Sequence, residues 1–189
     1  MGELTSSEKN TLLKIARAAI QGAVEKKELE TISVADQTDT LKENGASFVT
    51  LTINDRLRGC IGTMEPHQPL VLDVQEHAIA AAMNDYRFSS VRIEELEMIK
   101  IEISRLTPLK KLHYSSVIEL CKTLRIGIDG VLISAQGRRA TYLPQVWEQL
   151  PTPEEFLSHL CVKMGKATNF WQHHPMEVFT YEVEKFSEP

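Results

Sequence analysis

Phe48-Val49-Thr50-Leu51-Thr52-Ile53-Asn54-Asp55-Arg56-Leu57-Arg58-Gly59-Cys60-Ile61-Gly62 is the stretch on which the reading of this chain turns. Its first six residues alternate β-branched or apolar side chains with threonines, the period of a half-buried strand. Val49, Leu51 and Ile53 face a core. Asn54-Asp55-Arg56 makes a tight connection, and Leu57 to Gly62 returns as the paired strand. Simple alternation puts Arg58 and Cys60 on one face and Leu57 and Ile61 on the other. The flanking Gly59 and Gly62 allow another backbone, or a ligand, to approach closely.

Helices lie on both sides of this hairpin. Thr5-Ser6-Ser7-Glu8 has the form of a capping box. Leu12, Leu13, Ala16, Ala19, Ile20, Ala23 and Val24 follow as a helical stripe. Residues 28–45 are mostly polar and read as a surface connection ending at Asn44-Gly45. Pro66 and Pro69 prepare a helix over about 69–84, with Leu70, Val71, Val74, Ala78, Ala81 and Ala82 inward. A helical turn at 92–96 leads into a strand at 98–106. A short helix spans Tyr114 to Lys122. Strands follow at 126–128, 131–134 and 138–143, punctuated by Asp129-Gly130 and Gln136-Gly137. Thr152-Pro153-Glu154-Glu155 opens another helix that Gly165 can end. Residues 178–183 form the last strand. Helices and hairpins without regular βαβ alternation indicate an α+β fold: a largely antiparallel sheet flanked by helices.

The chain has 189 residues, enough for one domain over 1–189 with room for a smaller internal lobe. Net charge is -5 and no basic run is present, which sets nucleic-acid binding aside. No apolar stretch reaches the ~18 residues of a membrane span, and Met1-Gly2-Glu3-Leu4 lacks a signal peptide's basic-then-apolar form. Cys60, Cys121 and Cys161 are odd in number and far apart, so neither a disulfide framework nor a zinc site is indicated, and a reducing cytoplasm is expected. Asp73 and His77, at i,i+4 with Glu76 adjacent, form a solvated polar face rather than a metal site. No metal and no cofactor is expected.

Chemistry, where it exists, starts at Cys60. A thiolate is a nucleophile, and a nearby cation such as Arg58 favours it; the alternative is a small packed hydrophobe with Arg58 on a carboxylate. Arg87 has two readings as well: a bidentate clamp on an anion, or a partner for Asp85. Arg138-Arg139 reads as a solvated hairpin end.

Leu57-Arg58-Gly59-Cys60-Ile61-Gly62-Thr63 resembles the signature of the AMMECR domain family, also called AmmeMemoRadiSam system protein A. Asp85-Tyr86-Arg87-Phe88 is similar to that family's D-x-R-F element. Arg139-Ala140-Thr141-Tyr142-Leu143-Pro144-Gln145-Val146 and Leu160-Cys161-Val162-Lys163-Met164-Gly165 resemble two further motifs. Ser89-Ser90 departs from the family's common Pro-Pro. The resemblance implies an α+β fold with a main sheet, a smaller lobe and a cleft lined by the 57–62 segment. It also implies association with a Memo-like protein and a radical-SAM protein. Two functions follow. In the first, a small anionic ligand is bound by Arg58, Gly59, Gly62, Arg87 and Arg139, with Cys60 as nucleophile or redox thiol. In the second, a non-catalytic adaptor docks a partner through the 57–62 and 140–146 segments.

Overall fold

The turn at Asn54-Asp55 sets the geometry of the first sheet. Both residues have positive φ (50° and 60°), the left-handed pair of a type I′ hairpin, whose twist matches that of its strands. It joins β1 (Asn44–Ile53) to β2 (Arg56–Gly62). In this computed structural model, residues 2–29 and 31–189 are described; position 30, within the polar connection read from the sequence, lies outside them. No helix among the described residues is long and apolar enough to cross a membrane.

The chain divides into two compact units, residues 1–107 with 184–189, and residues 108–183. The first unit begins with α1 (Ser6–Glu25), where Thr5 and Glu8 form the expected capping box. The polar connection is more ordered than its composition suggests. It holds a 3-10 turn at Val34–Asp36 and α2 (Asp39–Lys42), which buries Leu41. A short β3 (Gln68–Pro69) precedes α3 (Leu70–Met83), and β4 (Lys100–Leu106) follows a 3-10 turn at Ile93–Glu95. The strands run in the order β2-β1-β4. Val49, Leu51, Ile101 and Ile103 point from the sheet into a core shared with Leu12 and Ile20 of α1 and Val74 and Ala78 of α3. Each such fully buried side chain contributes about 1.5–3 kcal/mol.

The second unit holds β5 (Lys110–Leu112), α4 (Val117–Thr123), β6 (Gly130–Ala135), β7 (Arg138–Tyr142), α5 (Pro153–Lys163), α6 (Phe170–His173) and β8 (Glu177–Tyr181). Its sheet runs β5-β8-β6-β7 and is antiparallel. Trp147 stacks on Phe156 at 3.9 Å between ring centroids and donates its Nε1–H to the Asp129 carbonyl at 2.7 Å. That bond satisfies the one polar atom of a buried indole. The α+β reading thus holds, with two antiparallel sheets.

Four local expectations need correction. Residues 126–128 are turns, not a strand, and Ile126 and Ile128 are half exposed: with no strand facing them, β-propensity has nothing to pack on. The single strand expected at 178–183 is divided. β8 ends at Tyr181, and β9 (Val183–Ser187) joins the first sheet beside β4. Asp73 and His77 are buried rather than solvated; Asp73 accepts a 2.6 Å hydrogen bond from Ser47, and no third group completes a metal-ligating set among the described residues.

The fourth concerns the returning strand. Leu51 pairs with Gly59 but Thr52 pairs with Leu57, so Arg58 is the extra residue of a β-bulge. The bulge resets the alternation. Leu57 falls opposite Thr52, on the side of the Thr50–Cys60 pair, and is 44% exposed; Ile61 falls opposite Val49 and packs on the core. Arg58 itself has no partner residue on β1.

Candidate functional site

β2 is an edge strand, so its outward backbone groups need partners or water. At Cys60 side chains supply them. The Cys60 N–H donates to Asp85 Oδ2 at 2.8 Å, and its carbonyl accepts from Arg87 Nη2 at 3.0 Å. Asp85 and Arg87 stand just beyond the end of α3, so the helix delivers a carboxylate and a guanidinium where a neighbouring strand would offer a C=O and an N–H. The two are also bound to each other. Asp85 accepts from the Arg87 backbone N–H at 3.1 Å, from Nε at 2.9 Å and from Nη2 at 2.6 Å. Hydrogen bonds from Arg87 hold the Asp85 carboxyl far below the usual carboxylate range, with the Cys60 N–H adding to the effect.

Arg58 is held in the same way by a different segment. Its Nε and Nη2 donate to the two oxygens of Glu95 at 2.7 and 2.9 Å, a bidentate pair, and Nη1 donates to the Ser89 carbonyl at 2.9 Å. Hydrogen bonding from Arg58 keeps the Glu95 carboxyl down at about 2. The ring of Phe88 lies 6.0 Å from the Arg58 guanidinium and 5.6 Å from that of Arg87, so both cations share one aromatic neighbour. Residues 85–95 therefore form a clasp over the edge of β2, fastened at Cys60 and at Arg58.

The glycines serve the same packing. A Cβ on Gly59 would run into the Ala81 carbonyl of α3, and one on Gly62 would meet the Ser47 carbonyl and Phe48. The close approach expected at both positions is made by the protein's own backbone. Cys60 has its thiol on the side of the sheet away from α3, where Thr50 donates its hydroxyl to Sγ at 3.2 Å. The thiol is half-buried, and no disulfide engages it.

The candidates from the sequence thus have distinct fates. Arg58, Gly59, Cys60, Gly62 and Arg87 meet in one cluster of the first unit. Arg139 belongs to the second unit, on β7 across from Ser134 of β6. Sequence reading missed Thr50 and Glu95 as members. Thr50 is signalled only by its hairpin register. Glu95 is 37 residues from Arg58 along the chain, and nothing local marks the pairing.

Comparison with known proteins places this architecture among relatives. The family model described as AMMECR1 matches residues 13–186. Protein MK0488 of Methanopyrus kandleri is 39% identical, covering 100% of this chain and 92% of its own length. Protein MJ0810 of Methanocaldococcus jannaschii is 34% identical over 98% of this chain and 92% of its own. The crystal structure of uncharacterized protein PH0010 from Pyrococcus horikoshii superposes with a TM-score of 0.82 at 32% identity, covering 94% of this chain and 89% of that one.

Proposed function

The chain belongs to the AMMECR1 family, and on that footing we propose that it works as a protein-docking module whose recognition surface is the clasped edge of β2. The observation that carries this reading is the employment of the two arginines. Arg58 and Arg87 each face an internal carboxylate, so their charge is already neutralised. Around them large side chains stand in water: Tyr86 is 93% exposed, Ile93 59% and Leu57 44%. Tyr86 sits between Asp85 and Arg87, Leu57 beside Arg58, and Ile93 two residues before Glu95. Exposed tyrosine on a rigid polar frame is the composition of an interface hot spot. A Memo-like protein or a radical-SAM protein is the partner that the motif resemblance suggests, in a cytoplasmic setting that suits three free thiols.

Binding of a purified Memo-like protein and a purified radical-SAM protein to immobilised chain tests this. Tyr86→Ala is expected to weaken binding by about tenfold or more with an unchanged melting temperature. Cys60→Ser is expected to leave binding intact. Binding that ignores Tyr86→Ala but is lost with Cys60→Ser would overturn the docking reading.

One observation favours a second reading, in which Cys60 is a nucleophile or redox thiol for a small anionic ligand. The thiol faces away from the core and takes a hydroxyl hydrogen bond from Thr50, while Arg87 bonds to the Cys60 carbonyl. Iodoacetamide alkylation followed against pH discriminates. A thiolate titrating well below the ~8.5 of a free cysteine supports this chemistry, and one at or above it removes the activated thiol.

A further inference from the structure

The second unit carries a cluster of cations that neither reading uses. Arg138 opens β7 immediately after the Gln136-Gly137 turn, where both residues have positive φ (51° and 74°). The turn brings β7 back along the C-terminal end of α5. There Gly165, at φ 77°, makes room for the Arg138 guanidinium: a Cβ at 165 would collide with Nη1. The Lys166 ammonium reaches the Gln136 side-chain oxygen at 2.5 Å and lies 5.3 Å from the Phe170 ring centroid. The Lys163 ammonium donates to the Thr141 carbonyl at 2.9 Å and lies 4.8 Å from the Tyr142 ring centroid.

Three cations therefore line the face of β7 against the end of α5: Lys163 and Lys166 each rest on a neutral oxygen and an aromatic ring, and the Arg138 guanidinium lies against Gly165. None of the three makes an ion pair with a carboxylate among the described residues, in a chain whose net charge is -5. The α5 C-terminus offers only about half an elementary charge of compensation. Desolvation alone pushes Lys163 below the usual lysine range. The contrast with Arg58, Arg87 and Arg125, all closed on internal acids, is direct.

We propose that Arg138, Lys163 and Lys166 form a binding site for a soluble anion of charge two or more, of the phosphate or diphosphate class. The guanidinium supplies a planar fork, and the two ammoniums supply point charges that tolerate either oxygen spacing. Tyr142 and Phe170 hold the lysine heads in place, which lowers the entropy lost on binding. The site stands independently of the docking surface, since it shares no residue with it.

Isothermal titration with inorganic pyrophosphate on the full chain tests the proposal. Saturable binding is expected that weakens as salt rises, with each of Arg138→Gln, Lys163→Gln and Lys166→Gln weakening it by about tenfold. Lys14→Gln, on the exposed side of α1, is expected to change nothing. In parallel, pyrophosphate is expected to raise the pH at which the Lys163 ε-methylene resonance titrates, a shift that loss of folding would not produce. Absence of saturable binding, or equal losses in Lys14→Gln and the three variants, would overturn the proposal whatever the outcome of the partner-binding experiment.

Discussion

The clasped edge of β2 and the end of α5 are both rich in basic side chains, and they use them oppositely. At β2 the two arginines that fasten the clasp each close on an acid of the same unit: Arg58 on Glu95, Arg87 on Asp85. At α5, Lys163 and Lys166 rest on carbonyl oxygens and aromatic faces. A cation paired bidentately with a carboxylate is part of the scaffold, because removing either partner strands the other. A cation held only by neutral groups keeps its charge for something else. Residue type alone draws no such distinction; both regions look basic in sequence.

This contrast can be attacked at several points. The largest effect is expected at Gly59. Gly59→Ala puts a methyl group against the Ala81 carbonyl, and α3 must shift away from the sheet; a loss of about 3 kcal/mol is expected by urea unfolding. Asp85→Ala comes next. It leaves the Cys60 N–H without its acceptor and the half-exposed Arg87 without its acid, for an expected loss of about 2 kcal/mol. A normal melting temperature in that variant would mean the clasp contributes nothing to the edge.

Acid should loosen the clasp and leave the α5 end untouched. Glu95 ionises near 2 in the folded protein against 4.5 ordinarily, and Asp85 lies lower still. Their contribution is therefore complete above about pH 4.5 and is lost progressively as pH falls towards 2. Melting temperature measured over that interval is expected to fall less steeply in Arg58→Gln, where Glu95 no longer has its partner. The smallest effect belongs to Lys163→Gln and Lys166→Gln. Each is expected to change stability by less than about 0.5 kcal/mol, since neither breaks an ion pair. A larger loss would make those lysines structural and erase the difference between the two regions.

Much of the local architecture is legible from neighbours in the chain. The capping box of α1, the Asn54-Asp55 turn, the alanine-rich inner face of α3 and the glycine that ends α5 all depend on residues within a few positions of one another. The motif residues around Cys60, Arg87 and Tyr142 stand out for the same reason. Burial is a different matter. Asp73 and His77 have the spacing of any polar helix face, and only the approach of Ser47 from β1 shows that the face is interior.

The amino-acid order settled the α+β class, the strand that carries Cys60 and the family, because periodicity, capping and motif are short-range properties. Tertiary structure decided what those residues do. The bulge at Arg58 is a matter of register between two strands, and it moved Leu57 to the side of the sheet that carries the Thr50–Cys60 pair. Glu95 and Asp85 arrive from other elements to take the two guanidiniums. β9 leaves its neighbour β8 for the other sheet. Whether a charge is spent or available depends on which groups lie within about 3 Å of it, and chain folding brings those groups from distances that no local pattern records.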